Sequence, residues 1–426
     1  MLSANDPSLK TWVEVPADSD FPVQNLPFGI FKPKIGTARA GVAIGNYVLD
    51  LQEMAQLGYF DTLHLKDHAV FSQPYLNDFI ALGKSACQQV RQRISELLRH
   101  DNAKLQDNYE HRRKVLLYDT EVHMQLPVKI GDYTDFYSSM EHATNVGTMF
   151  RDPANALLPN WKHLPVGYHG RSSSIVVSGT NFHRPNGQYK TPDAALPGFG
   201  PSQQLDFELE MAFVIGQSTE LGEHIPVTKA EEYIFGMVLF NDWSARDIQA
   251  WEYVPLGPFL GKNFASSISP WIVTLDALEP FRVPGPVQEP QVLPYLQSSG
   301  QRNYDIHLEV SILPDKGSEK VVCRSNAKYL YWNIAQQLAH HTVNGCNVTI
   351  GDVYASGTIS GPKADAYGSM LELTWRGTKP LLLADGSERK FLHDHDTVIM
   401  RGFGKKDGNR IGFGEVRGKV LPAKEI

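Results

Sequence analysis

The chain has 426 residues, 42% apolar and 20% charged, which fits a globular protein long enough for two or three domains and a large core. A formal net charge of −7, with no basic stripe interleaved with aromatics, excludes a nucleic-acid binder. No apolar run is long enough to span a membrane, and the three cysteines, Cys87, Cys323 and Cys346, are too few and too scattered for a disulfide framework.

The opening stretch, residues 1–7, has no positive segment and no apolar run, so a leader peptide is not expected and the cytoplasm is the expected location. Segments 28–31 and 40–49 read as strands, the second folding around Gly45-Asn46. Residues 77–100 have helical spacing, with Phe79, Ile80, Leu82, Val90, Ile94, Leu97 and Leu98 on recurring faces. The polar segment 101–107 reads as a linker. Together these predict a small, barrel-like N-terminal domain over 1–127. The remainder, 128–426, is richer in strand signals, at 174–178, 204–215, 271–275, 306–313 and 370–375. Helices are expected from about 230 into the Asp242 region and at 334–342. The fold class is therefore mostly β, of the α+β kind, with a large curved catalytic domain.

Four segments carry candidate chemistry. Asp135 and His142 lie in 131–145; read as helix, they are two turns apart on one face, with Thr134 or Asp135 as cap. A histidine beside a carboxylate is a candidate general base, against the competing reading of a structural histidine. In 206–215 the odd residues, Phe207, Leu209, Met211, Phe213 and Ile215, are all apolar, while the even residues begin Asp206, Glu208, Glu210. Two neighbouring carboxylates at the mouth of a buried strand need a cation or a proton, so a metal site competes with a solvated acidic face. A helix through 242–253 would line up Asp242, Arg246, Gln249 and Tyr253. Glu372, among apolar strand neighbours, needs a partner, either a histidine or an arginine. The segment 257–263 mimics a phosphate loop but is one residue short, and Asn263 stands where a hydroxyl is required. His340-His341 and His393/His395 lack further zinc ligands, and no G-x-S-x-G elbow occurs.

Taken with 164–171 and 356–361, these segments resemble the fumarylacetoacetase family over nearly the whole chain. The most specific matches are Asp132-Tyr133-Thr134-Asp135-Phe136-Tyr137, His142-Ala143-Thr144-Asn145, Asp206-Phe207-Glu208-Leu209-Glu210, and the Asp242-to-Gln249 segment. The resemblance implies an SH3-like N-terminal domain, a mixed β-sandwich roll at 128–426, and a homodimer. It implies metal-dependent hydrolysis of a carbon–carbon bond in a diketo dicarboxylate, with Mg²⁺ or Ca²⁺ held by Asp135, Glu208, Glu210 and Asp242. His142 would be the base, oriented by Glu372, and Arg246, Gln249 and Lys262 would stabilise the oxyanion. Tyr137, Arg151, Tyr168, Gln249, Tyr253 and Thr358 fall at family positions that hold substrate. Lys262 and Ser266 fall where the family builds a second cation site. This chain departs there, with Ala265-Ser266 in place of an expected Gly-Thr. Alternative functions are an acylpyruvate hydrolase, a decarboxylase or isomerase of the same superfamily, and a catalytically silent metal- and dicarboxylate-binding member.

Overall fold

The computed structural model describes residues 3–426; Met1 and Leu2, part of the stretch read as lacking a leader, lie outside the described residues. Strands β1 (Phe28–Pro33), β2 (Arg39–Ile44) and β3 (Tyr47–Asp50) form the expected meander, with Gly45 at a φ of 56° in the tight turn. The helix expected over 77–100 is interrupted at Gly83, whose φ is 94°. A single turn, Asn77–Ile80, precedes α1 (Lys84–Leu98). The segment 101–107 is not a bare linker. It holds a short helix, Ala103–Gln106, because the Asn102 side chain accepts from Lys104 N and caps it. Strands β4 (Leu116–Tyr118) and β5 (Val122–Gln125) complete this part.

Among the described residues no barrel closes in this N-terminal part. One edge of β1 pairs with β2; the other is shared between β5, along 30–33, and the distant strand Trp271–Thr274, along 28–29. The N-terminal strands thus extend a 13-stranded sheet that continues into the rest of the chain.

The strands that follow are β6 (Tyr133–Phe136), β7 (Gly167–His169), β8 (Leu209–Ile215), β9 (Ile234–Asp242), β10 (Ser266–Ile268) and β11 (Trp271–Thr274). After them come β12 (His307–Leu313), β13 (Lys320–Asn326), β14 (Val353–Ala355), β15 (Thr397–Lys406) and β16 (Asn409–Leu421). Helices α2 (Met140–Phe150), α3 (Arg246–Glu252), α4 (Ile334–Thr342) and α5 (Met370–Leu373) are interspersed. The large sheet runs β4-β3-β2-β1-β11-β9-β8-β14-β6-β7, and β12, β13, β15 and β16 belong to a second sheet of five strands. The mostly β, α+β class expected from the sequence holds.

The helix expected from about 230 into the Asp242 region is instead a 3-10 turn, Ala230–Tyr233, followed by β9. Every residue of β9 is buried. Ile234, Met237 and Leu239 face the core between the two sheets, while Phe235, Val238 and Phe240 face the core shared with the N-terminal helices. A strand covered on both faces loses its period of two, so it reads as an undifferentiated apolar run. The same two cores sandwich β8. Met211 and Phe213 enter one and Ala212 and Val214 the other, and full burial of each larger side chain stabilises the fold by roughly 1.5–3 kcal/mol. Among the described residues no helix is long and apolar enough to cross a membrane.

Helix α2, which carries His142, lies so close to the following loop that a methyl added at Gly147 would meet the Ala156 carbonyl oxygen at 1.9 Å. Gly147→Ala is expected to destabilise the protein by about 1–3 kcal/mol. Urea unfolding should show a lower midpoint at unchanged slope.

Candidate active site

The large sheet brings the ends of three strands together. Asp135 lies in β6, Glu210 in β8 and Asp242 at the end of β9, while Glu208 precedes β8 and bridges Ser369. All four carboxylates are buried, and one oxygen from each lies within 4.8 Å of the others. The alternation read from 206–215 explains the direction: Glu208 and Glu210 share a face with Ala212 and Val214, opposite the Met211–Phe213 face. Asp135 and His142 do not share a helix face. Asp135 is in a strand, and Ser139, not Thr134 or Asp135, caps α2 by accepting from His142 N at 3.2 Å. Asp242 likewise closes a strand, and the helix expected over 242–253 begins only at Arg246.

The four acids are not equally provided for. Glu208 accepts from Arg246 Nη1 at 2.8 Å and from Lys262 Nζ. Burial works against its charge, but Lys262 and Arg246 hold its carboxyl down at about 2. Asp242 accepts from Lys262 Nζ at 2.7 Å, Ser266 Oγ at 2.8 Å and Tyr168 Oη at 3.2 Å, yet burial still lifts it above the usual carboxylate range. Glu210 accepts from the Gly357 N–H at 3.0 Å. Among the described residues no donor reaches the buried Asp135 Oδ1 or Glu210 Oε1. Burial, and then the charge of a neighbouring carboxylate, pushes both groups well above the ordinary range. Counting Asp206, five carboxylates surround two cations, Arg246 and Lys262. Undonated buried oxygens, excess negative charge and an all-oxygen donor set fit a hard divalent cation.

Lys262 and Ser266 both direct their donors at Asp242. Burial opposes the Lys262 charge, but Asp242 and Glu208 hold its ammonium above the ordinary lysine value. A protonated ammonium has no lone pair for a metal, so a second ion beside Ser266 would compete with Lys262. Ala265 is buried and outside the left-handed region, so the departure at this position carries no backbone strain.

Beside the cluster, His142 Nδ1 lies 2.7 Å from Glu372 Oε2, both residues buried. Of the two partners open to Glu372, histidine is the one found. The strand expected at 370–375 is instead α5, because Ser369 caps it by accepting from Glu372 N at 3.3 Å. Burial would raise the Glu372 carboxyl, but His142 and the surrounding donors hold it below its ordinary value. The Tyr137 ring meets His142 edge-on at 5.3 Å. Arg246 Nη1 donates to Gln249 Oε1 at 3.3 Å, and Arg246 Nη2 is buried without an acceptor. Thr358 Oγ1 is also buried, with no hydrogen-bond partner among the described residues. Arg151 donates to Ala156 O at 2.6 Å and Tyr253 is half exposed; among the described residues no hydrogen bond ties either to the carboxylates.

A family model for the C-terminal part of fumarylacetoacetate (FAA) hydrolase matches residues 132–421, and a fumarylacetoacetase N-terminal model matches residues 24–127. The chain belongs to the fumarylacetoacetate hydrolase family. A fumarylacetoacetase of Caenorhabditis elegans is 57% identical over 420 residues, covering 97% of this chain and 100% of that protein. A fumarylacetoacetase of Homo sapiens is 54% identical over 415 residues, covering 97% and 99%. Among solved structures, a fumarylacetoacetate hydrolase from psychrophilic Exiguobacterium antarcticum aligns at a TM-score of 0.53 with 19% identity, over 94% of this chain and 100% of that one, a likeness of fold.

Within this family fold, sequence reasoning missed four polar side chains. Asp206 accepts from Arg246 Nε at 2.8 Å and from Met370 N and Leu371 N at 2.6 and 3.0 Å, anchoring α5. Asn145, Ser360 and Ser369 all donate to Glu372. The Ser369-x-x-Glu372 capping spacing could have flagged one of them. The others depend on contacts distant in sequence.

Cation binding should displace protons from Asp135 and Glu210, so its apparent affinity is expected to rise with pH. Calorimetry in buffers of different ionisation enthalpy measures the release. Glu210→Gln should abolish the thermal stabilisation that an added divalent cation gives, while the chelator-treated variant melts no lower than the chelator-treated parent. A variant still stabilised by the cation would contradict this assignment.

Proposed function

We propose that this chain hydrolyses 4-fumarylacetoacetate to fumarate and acetoacetate, the last step of tyrosine and phenylalanine breakdown. The observation that carries the reading is the buried His142–Glu372 pair beside a carboxylate cluster with excess negative charge. The choice of substrate rests on relatives named fumarylacetoacetase that align along nearly the full chain. Asp135, Glu208, Glu210 and Asp242 are the proposed ligands, and Mg²⁺ or Ca²⁺ suits four carboxylates without histidine or cysteine. When bound, the cation supplies positive charge for the substrate's oxygens.

The residues divide the remaining work. Glu372 accepts from Nδ1–H, which makes Nε2 the lone-pair atom of His142. Nε2 takes a proton from water, and the resulting hydroxide adds to the carbonyl next to the alkene. Arg246, Gln249 and Lys262 stabilise the alkoxide; losing one such donor typically costs ~10²–10³ in rate. The bond to the methylene then breaks. Its electron pair passes into the enolate of acetoacetate, which takes the proton from the His142 imidazolium. Tyr137, Arg151, Tyr168, Gln249, Tyr253 and Thr358 are the proposed contacts for a substrate with a carboxylate at each end.

Residues 1–127 and 128–426 are proposed as the N-terminal and catalytic domains. A homodimer is proposed on exposed apolar side chains, among them Val254, Leu256 and Phe259 in the loop that follows α3. Free cysteines support a reducing compartment, and the cytoplasm is the proposed location.

A spectrophotometric assay of fumarylacetoacetate consumption, with and without chelator, tests the reading; no loss of absorbance with either added cation would refute it. His142→Ala should lower kcat by about 10²–10⁴ while cation content stays at the parent level. A variant with near-parental turnover would remove His142 from this role.

A further inference from the structure

Glu372 is donated to on both oxygens. His142 Nδ1 and Ser369 Oγ reach Oε2 at 2.7 and 2.9 Å, and Asn145 Nδ2 reaches Oε1 at 2.9 Å. Ser360 Oγ lies 2.9 Å from each oxygen, so its single proton is shared across the carboxylate. The Gly368 N–H donates to the same Ser360 oxygen at 3.0 Å and so directs that proton at Glu372.

This is more than a buried carboxylate needs for its charge, and the arrangement has a direction. The terminal torsion of a glutamate is broad, and α5 is only four residues long. A carboxylate free to turn would present either oxygen to His142, at varying angles. Asn145 lies three residues after His142 on the same face of α2, so one helix holds both oxygens. Ser139 ties that helix to the opposite wall: it accepts from His142 N at 3.2 Å and donates to Ser360 O at 3.1 Å.

We propose that Asn145 and Ser360 are positioning residues for His142. They fix the plane of Glu372 so that Oε2 alone faces the imidazole, which sets the Nδ1–H tautomer and leaves Nε2 open. The inference rests on the reading of His142 as the base, and it concerns the ring's tautomer and orientation, which can be observed without turnover.

The test compares Asn145→Ala, Ser360→Ala and Ser360→Thr with the parent in the cation-loaded protein. It reads kcat, KM, cation content and the ¹⁵N resonances of His142 in histidine-labelled protein. Both alanine variants should lose at least about tenfold in kcat, part of the ~10²–10⁴ a positioned base supplies, with KM and cation content close to the parent. Their ¹⁵N spectra should move from a single Nδ1–H tautomer toward a mixture, and Ser360→Thr should restore both readouts. A parental ¹⁵N spectrum in the alanine variants would overturn the proposal, even if melting temperature or kcat falls, because the residues would then serve stability alone. If Ser360→Ala does not fold, the half-buried Asn145 decides. Should His142→Ala retain turnover, the base reading fails by itself, and the tautomer spectra still decide the positioning claim.

Discussion

Four carboxylates held out of water within 4.8 Å of one another constrain everything built around them. Each would rather be solvated, and each repels the others. A surface loop could relax by letting them part. Here the strands that carry them cannot, because β8 and β9 are packed on both faces by two cores. Dense interiors transmit such strain instead of absorbing it. The repulsion is therefore met chemically. Lys262 bridges Glu208 and Asp242, and Arg246 bridges Glu208 and Asp206. Asp135 and Glu210 are left short of donors, which fits the cluster to a divalent cation.

Donor supply separates the two kinds of acid in the pocket. Glu372 is as buried as Glu210, yet it is held below its ordinary pKa while Glu210 is pushed far above. The difference lies in the neighbours: an imidazole, an amide and two hydroxyls in one case, a single backbone N–H and other carboxylates in the other. The donors around Glu372 favour its anion, which suits a partner for the His142 imidazole. A cation beside Glu210 would favour the charge that burial and its carboxylate neighbours oppose.

Legibility in the sequence followed the same physics. The alternation through 206–215 was readable because acids mark one face and large apolar residues the other. The hairpin at Gly45-Asn46 was readable from its turn chemistry. Strand β9 was not, since burial on both faces erased its period. Around Glu372 the apolar neighbours give a strand signal that masks the capping serine three residues before it. The partnership of His142 with Glu372 spans 230 residues, and that of Asn145 with Glu372 spans 227. No local pattern encodes contacts of that length; family resemblance supplied the first as an expectation and gave no role to the second.

The segment 356–361 joins the two halves of the site. Gly357 N–H donates to Glu210, Thr358 leaves a buried hydroxyl unpartnered, and Ser360 holds Glu372. What fixes the segment is Gly357, at a φ of 75°, where an added Cβ would meet the Phe136 carbonyl oxygen at 2.2 Å. Phe136 directly follows Asp135 in β6. A single left-handed glycine pressed against that strand therefore sets the spacing between the carboxylate cluster and the His142–Glu372 pair, and a side chain there would shift one relative to the other.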